Sequence, residues 1–328
     1  MPKVSVIIPV YGVEQYIERC VRSLFEQTLD DIEYLFIDDR TPDNSIEILM
    51  QVLEDYPRRK RQVVIHSMEQ NSGQAAVRKW GILNATGEYI IHCDSDDWVD
   101  VTMYEKLYNR ALEDDADFVW CDYYNTDGIR YVYKSLNYST KKEECIKGLI
   151  RQKVWWSCCN KIIRRSIYQN GIIYPVYNAG EDFALTLQLA YYCNKFSYLN
   201  EALYYYYYNS NSITLRRTIE QIEYNVISFT DNIRIVEQFY DTNGAYPIIK
   251  YDLTGLKIFA KKPLMGQSNN SRGRMLWKCI YPELTIIEVL WCKYVSIYTK
   301  LLYVLTSIGL YNSFRNIKHK LLKPKNMR

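Results

Sequence analysis

The segment YIIHCDSDDWVD, residues 89–100, is an apolar run that ends on four carboxylates, Asp94, Asp96, Asp97 and Asp100. Like charges set so close repel one another, and a counter-cation is the usual remedy. In Asp94-Ser95-Asp96 both carboxylates fall on one side of the chain, where each reaches a hard divalent ion directly or through water. Oxygen-only ligation by few protein groups suits Mg2+ or Mn2+ shared with the phosphates of a ligand. The plainer reading is a solvated loop whose last member, Asp100, caps a helix starting near Thr102. A calcium loop does not fit, because Trp98 and Val99 stand where an EF-hand needs a ligand and its turn glycine.

Elements able to position these acids are legible upstream. Short runs rich in Val, Ile and Phe at 4–10, 33–38, 62–66, 88–93 and 117–121 read as strands covered on both faces of a largely parallel sheet. Between them, helical spacing covers 14–27, with Ile17, Val21, Leu24 and Phe25 on one face, then 45–56, 74–84 and 102–113. A β-α-β-α-β-α-β order with short loops predicts right-handed crossovers and a doubly wound α/β sheet. Ligands of such sheets sit beyond the carboxyl ends of the strands. Four polar segments fall there, PVYG, DDRTPD, QNSGQ and DSDD, which predicts one site. Beyond residue 122 the pattern loosens into a hairpin-like YYNTDGIRYVY and a helix near 141–151. Residues 219–328 read as helical and increasingly basic.

Composition narrows the function classes. The 328 residues are 48% hydrophobic and 24% charged, which suits a globular chain with a sizeable core plus an appendage. A net charge of +3, with no Arg/Lys stripe interleaved with aromatics in the first 280 residues, argues against nucleic acid as a partner. Nine scattered cysteines without a C-x-x-C, and three histidines in unrelated contexts, read as buried thiols in a reducing compartment. The first residues lack a secretory signal pattern, so a cytoplasmic location is expected.

Taken in order, VSVIIPVY, FIDDRTPDNS, NSGQAAVRKWGILNATGEYI, CDSDDWVD and AGEDF resemble family 2 glycosyltransferases of the GT-A fold, over roughly residues 1–215. The likeness is to bacterial enzymes that build capsule, O-antigen or exopolysaccharide. It implies a nucleotide-sugar-binding and catalytic domain over 1–215 and a helical C-terminal region over 216–328. It also implies a UDP-sugar donor held with Mn2+ or Mg2+, and a glycan or lipid-linked oligosaccharide acceptor. Pro9 and Tyr11 would lie along base and ribose, although Tyr11 also reads as surface packing. Asp38 and Asp39 would accept from the uracil ring or the ribose, and Asn71 and Gly73 would bring backbone close to the nucleotide. Arg78 would meet phosphate, or else be an exposed helix arginine. Asp94 and Ser95 would hold ribose or sugar, and Asp96, with Asp94, would bind the metal. Asp182 in AGEDF would be the general base of an inverting transfer, its blander role being to favour the helix dipole, while Glu181 would position. Gly12, and Arg40-Thr41-Pro42, depart from the family's usual loop residues.

Two rival readings are a sugar-1-phosphate nucleotidyltransferase and a catalytically silent nucleotide-sugar-binding scaffold. The first would carry a Gly-rich loop with Arg and Lys after the first strand, and PVYGVEQ has none. The consecutive tyrosines 204–208 predict an amphipathic strand, suited to core packing or to stacking on sugar rings. After Glu288 no acidic residue occurs, while basic residues gather around LLYVLTSIGLYNSF. That segment reads as a helix lying at the inner face of the membrane, or as a buried helix with a solvated tail.

Overall fold

The computed structural model describes residues 1–208, 218–267 and 270–315. The chain divides into two compact units, Met1–Leu215 and Arg216–Arg328.

In the first unit β1 (Val4–Val10), β2 (Ile32–Asp38), β3 (Val63–Ser67) and β4 (Tyr89–His92) pair in parallel, in the order β3-β2-β1-β4. Helices α1 (Ile17–Phe25), α2 (Ser45–Glu54) and α3 (Gln74–Asn84) make the crossovers. Val4, Val6, Ile8 and Val10 alternate onto the face where Ile17, Val21, Leu24 and Phe25 of α1 pack with Tyr34, Phe36 and Ile91. Ile7, Leu35, Ile37 and Ile90 are buried on the opposite face, which is why these strands read as nearly continuous apolar runs. β3 differs, since Val64 and Ile65 are exposed at the sheet's edge.

The strand expected at 117–121 is longer and is not the next parallel neighbour of β4. After β5 (Trp98–Val99) and α4 (Met103–Glu113) come β6 (Phe118–Thr126) and β7 (Tyr131–Lys134), the predicted hairpin. Then follow α5 (Lys142–Ile150), β8 (Lys161–Arg164), α6 (Glu181–Tyr192) and β9 (Phe196–Tyr207). β8 runs antiparallel between β4 and β6, β9 runs parallel to β6, and β5 pairs antiparallel with β9. The sheet is therefore mixed but mostly parallel. β8 pairs with β4 on one side and β6 on the other, and that pairing stabilises a four-residue segment too short to announce itself by periodicity.

The second unit carries α7 (Ile219–Thr242), α8 (Tyr246–Met265), α9 (Ser271–Cys279), α10 (Ile286–Trp291) and α11 (Ile297–Ser307). No helix among the described residues is long and apolar enough to cross a membrane. Eight of the nine cysteines are buried, and Cys279 is exposed.

Candidate active site

The loops that follow β1, β2, β3 and β4 meet at one end of the sheet and are laced together. Ser95 Oγ donates to the Pro9 carbonyl at 2.6 Å, tying the end of β4 to the end of β1. Tyr11, beyond Pro9, is exposed. Asp38 and Asp39 are buried, and both carboxylates hold protein. Asp38 accepts from the Thr41 amide at 2.7 Å and Ser67 Oγ at 2.9 Å. Asp39 accepts from the Ser72 and Gly73 amides at 2.7 and 2.8 Å, which shapes the turn that carries the exposed Asn71.

Gly73 has φ +83°, and a Cβ there would lie 2.5 Å from the Asn178 side chain. Only glycine combines that conformation with so close an approach. Asn178 Oδ1 in turn accepts from the Ala75 amide at 3.1 Å, so an orphan donor in the first turn of α3 is met by the loop before α6.

Arg78 is not an exposed helix residue; it is 2% exposed. Its Nη2 donates to Asp94 Oδ1 at 2.8 Å, and its Nε lies 3.4 Å from Asp182 Oδ1 and 3.8 Å from Glu181 Oε1. Gln74, one turn earlier on the same face of α3, donates to the same Asp94 oxygen at 3.1 Å. One guanidinium thus joins the acidic loop after β4 to the first turn of α6. Gly180 enters that helix in the left-handed conformation, φ +84°, and sets both acids in the turn where the helix dipole favours negative charge.

Burial pushes the Asp182 carboxyl above the usual range while Arg78 pulls it back. Burial, then the neighbouring Asp182, pushes Glu181 up to about 8. Desolvation opposes the charge of Arg78, but Asp182 and Asp94 hold it well above the ordinary arginine value. Arg78 Nε and Nη1 and Asp182 Oδ1 make no hydrogen bond within the protein. His92, at the end of β4, is 1% exposed with neither ring nitrogen hydrogen-bonded; burial, and then Arg78, hold it neutral. Behind this centre the buried Lys161 donates to the carbonyls of Trp155 and Ser157 and to Asn160 Oδ1, and desolvation lowers it to about 8.

The four acids of residues 94–100 divide their duties. Asp97 is 1% exposed and accepts from the Tyr204 hydroxyl and the Tyr207 amide, clamping the loop to β9. Asp100 accepts from the amide and hydroxyl of Thr102 ahead of α4. The Asp96 carbonyl accepts from Arg19 Nη2 at 2.9 Å, and the Arg19 guanidinium lies 3.7 Å from the Trp98 ring centre and 4.5 Å from that of Tyr207. Asp94 and Asp96 are both partly exposed, and Asp94 Oδ1 accepts from Gln74 and Arg78. Among the described residues no three His, Cys, Asp or Glu side chains form a metal cage. Two carboxylates at a loop tip nevertheless fit a hard cation that takes its remaining oxygens from phosphate and water.

Of the residues expected at the site, the structure brings Asp94, Asp182 and Arg78 into one charge centre. Sequence reading missed Arg19, His92, Asn178 and Tyr204. Arg19 shows no signal in the sequence beyond a polar position on an amphipathic helix. His92 sits within an apolar run, where a polar residue is itself a signal.

Residues 5–187, more than half of the chain, match the model described as Glycosyl transferase family 2. The chain belongs to that family, and it is a glycosyltransferase. It is 34% identical over 224 residues to a Bacillus subtilis (strain 168) protein named "Uncharacterized glycosyltransferase EpsJ"; the match covers 65% of this chain and 63% of that protein. Among solved structures, S. aureus TarS 1-349 in complex with UDP-GlcNAc superposes with a TM-score of 0.61 at 18% identity, covering 99% of this chain and 93% of that one. The mannosyltransferase PcManGT from Pyrobaculum calidifontis, in complex with GDP-Man and Mn2+, gives 0.53 at 14% identity, covering 94% and 87%. The architecture is accordingly GT-A.

Proposed function

We propose that the chain is an inverting glycosyltransferase that moves a sugar from a UDP-sugar to a hydroxyl of a glycan or lipid-linked oligosaccharide. The setting is bacterial cell-surface polysaccharide synthesis, such as capsule, O-antigen or exopolysaccharide, with the enzyme peripheral to the inner membrane face. The observation that carries this reading is the buried Arg78 spanning Asp94 and Asp182, which ties the acidic loop to the acid of α6 in one centre. That a structural relative was solved with UDP-GlcNAc supports the donor class. Met1–Leu215 is the catalytic domain on this reading, and the helical unit serves acceptor or membrane.

Asp182 is the base. Burial raises its proton affinity, yet Arg78 at 3.4 Å favours its charged form, so it can be ionised and still basic. Glu181, pushed up to about 8, holds its proton at neutral pH and positions rather than deprotonates. As Asp182 takes the proton from the acceptor hydroxyl, its oxygen bonds to the anomeric carbon from the face opposite the departing diphosphate, and the configuration inverts. Asp96, and secondarily Asp94, would hold Mn2+ or Mg2+, which when bound supplies positive charge to the leaving diphosphate. Arg78 keeps donor capacity in Nη1 for phosphate or sugar oxygens. Pro9, Tyr11, Asn71, Gly73 and Ser95 border the space for nucleoside and sugar, with Asp38 and Asp39 setting the backbone around it.

Release of UDP from a panel of UDP-sugars, with and without Mn2+, tests the reading. Wild type should hydrolyse or transfer from at least one donor, and Asp182→Asn should lose roughly 10²–10⁴-fold of that rate while still binding UDP. A wild type that binds UDP and turns over no donor with any acceptor would make the chain a scaffold.

A further inference from the structure

In the helical unit Tyr303 of α11 is buried and its ring lies 4.8 Å from that of Trp277 on α9, while its hydroxyl donates to the Leu284 carbonyl at 3.1 Å. Tyr303 and Thr306 therefore turn one side of the segment 301–314 inward, and that side is unavailable to a lipid surface. The exposed apolar side lies earlier. On α10, Ile287, Leu290 and Trp291 follow at i, i+3 and i+4, with Trp291 81% exposed, and Tyr294, past the helix end, is exposed as well. On α11, Ile297 is 85% exposed and Leu301, one turn on, is exposed as well.

Local bonds fix this ridge. Thr285 and Glu288 form a reciprocal capping box that starts α10, and Ser296 caps α11 through the Thr299 amide. Lys300 Nζ donates to the Leu290 carbonyl at 2.7 Å, pinning α11 to the last turn of α10. Exposed apolar side chains gathered on two helices joined in this way mark an interaction surface. Its charge says with what. Lys293, between Trp291 and Tyr294 in the chain, is exposed, as is Arg315; no acidic residue follows Glu288 in the sequence, and five more Lys/Arg occur in residues 316–328. A second copy meeting this face by two-fold symmetry would set like charge against like. An anionic bilayer satisfies both the apolar ridge and the basic surround.

We propose that α10 and the first half of α11 seat the chain on an anionic lipid surface. Trp291 and Ile297 enter the headgroup boundary, and Lys293 meets headgroup phosphates. This deepens the peripheral location proposed above and rests on it. The test is co-sedimentation of the full chain with phosphatidylcholine vesicles, with and without about 30% phosphatidylglycerol, at about 0.1 M salt. Wild type should bind the phosphatidylglycerol vesicles and not the neutral ones. The double variant Trp291→Ser, Ile297→Ser should lose about tenfold or more of that partition with an unchanged thermal midpoint. Undiminished binding by the double variant would overturn the ridge while leaving the peripheral location standing. No binding by wild type would overturn both. A wild-type dimer that the two substitutions convert to monomer would assign the ridge to a second copy and overturn the proposal. None of these readouts depends on sugar transfer.

Discussion

Replacing Arg78 by methionine keeps a flexible apolar stem in its buried slot on α3 and removes the charge that Asp94 and Asp182 share at 2.8 and 3.4 Å. Breaking a buried ion pair by deleting one partner costs roughly 3–5 kcal/mol. The side chains of Asp94 and Asp182 keep 25% and 21% of their exposure, so water offsets part of the loss and about 3 kcal/mol is expected. For a domain of this size that lowers the melting midpoint by roughly 6–12 °C. The sign of the pH dependence follows from the Asp182 carboxyl. Without Arg78 the folded proton affinity of Asp182, already raised by burial, rises further, the folded state binds more protons than the unfolded one, and stability falls with increasing pH. Circular-dichroism melts of wild type and Arg78→Met at about pH 5.5 and about pH 8.5 should show a small deficit in acid and the full deficit in base. Adding Asp182→Asn to the variant should recover about 1 kcal/mol or more relative to additivity. A variant as stable as wild type at the higher pH, or a strictly additive pair, would refute the shared-charge account.

Glu181, raised from 4.5 to about 8, makes a contribution that is fully present below pH 4.5 and is lost as pH rises towards 8. Wild type should therefore lose up to a few kcal/mol across that window, and urea titrations of Glu181→Gln should show a flatter dependence. Arg19→Met removes a hydrogen bond to the Asp96 carbonyl and the contacts with Trp98 and Tyr207. It should cost roughly 1–3 kcal/mol of stability and weaken Mn2+-dependent UDP binding in calorimetry, while metal-free binding changes little.

The Val/Ile runs of β1, β2 and β4 were legible because strands covered on both faces leave no room for polar residues, and the helix facing them repeats its apolar positions on the same side. β3 was legible too, yet not as an edge, since Val64 and Ile65 are apolar whether covered or not. β5 and β8 escaped because two and four residues carry no period and owe their pairing to β9 and β6. At the site, the types of Asp94, Asp96 and Asp182 spoke for themselves. What the sequence withheld was the direction of Arg78, since the face of α3 that turns inward depends on the loop before α6 closing over it through Asn178. Asp38 and Asp39 look alike in sequence, but only the fold shows that Asp38 is held by the Thr41 amide and the Ser67 hydroxyl and Asp39 by the Ser72 and Gly73 amides. The two neighbours Asp96 and Asp97 are likewise told apart only by β9, whose Tyr204 claims the second.

The stitching of the DSDD loop has a consequence for how tightly and how fast the site can hold anything. With Ser95 latched to Pro9, Asp97 bolted to Tyr204 and Arg19 wedged between two rings, the loop is preorganised. A guest arriving at its tip therefore loses little free energy to freezing the host. Discrimination among guests must then come from fit against a stiff wall rather than from the wall's moulding itself to each one, so a single misplaced hydroxyl should be felt at full strength.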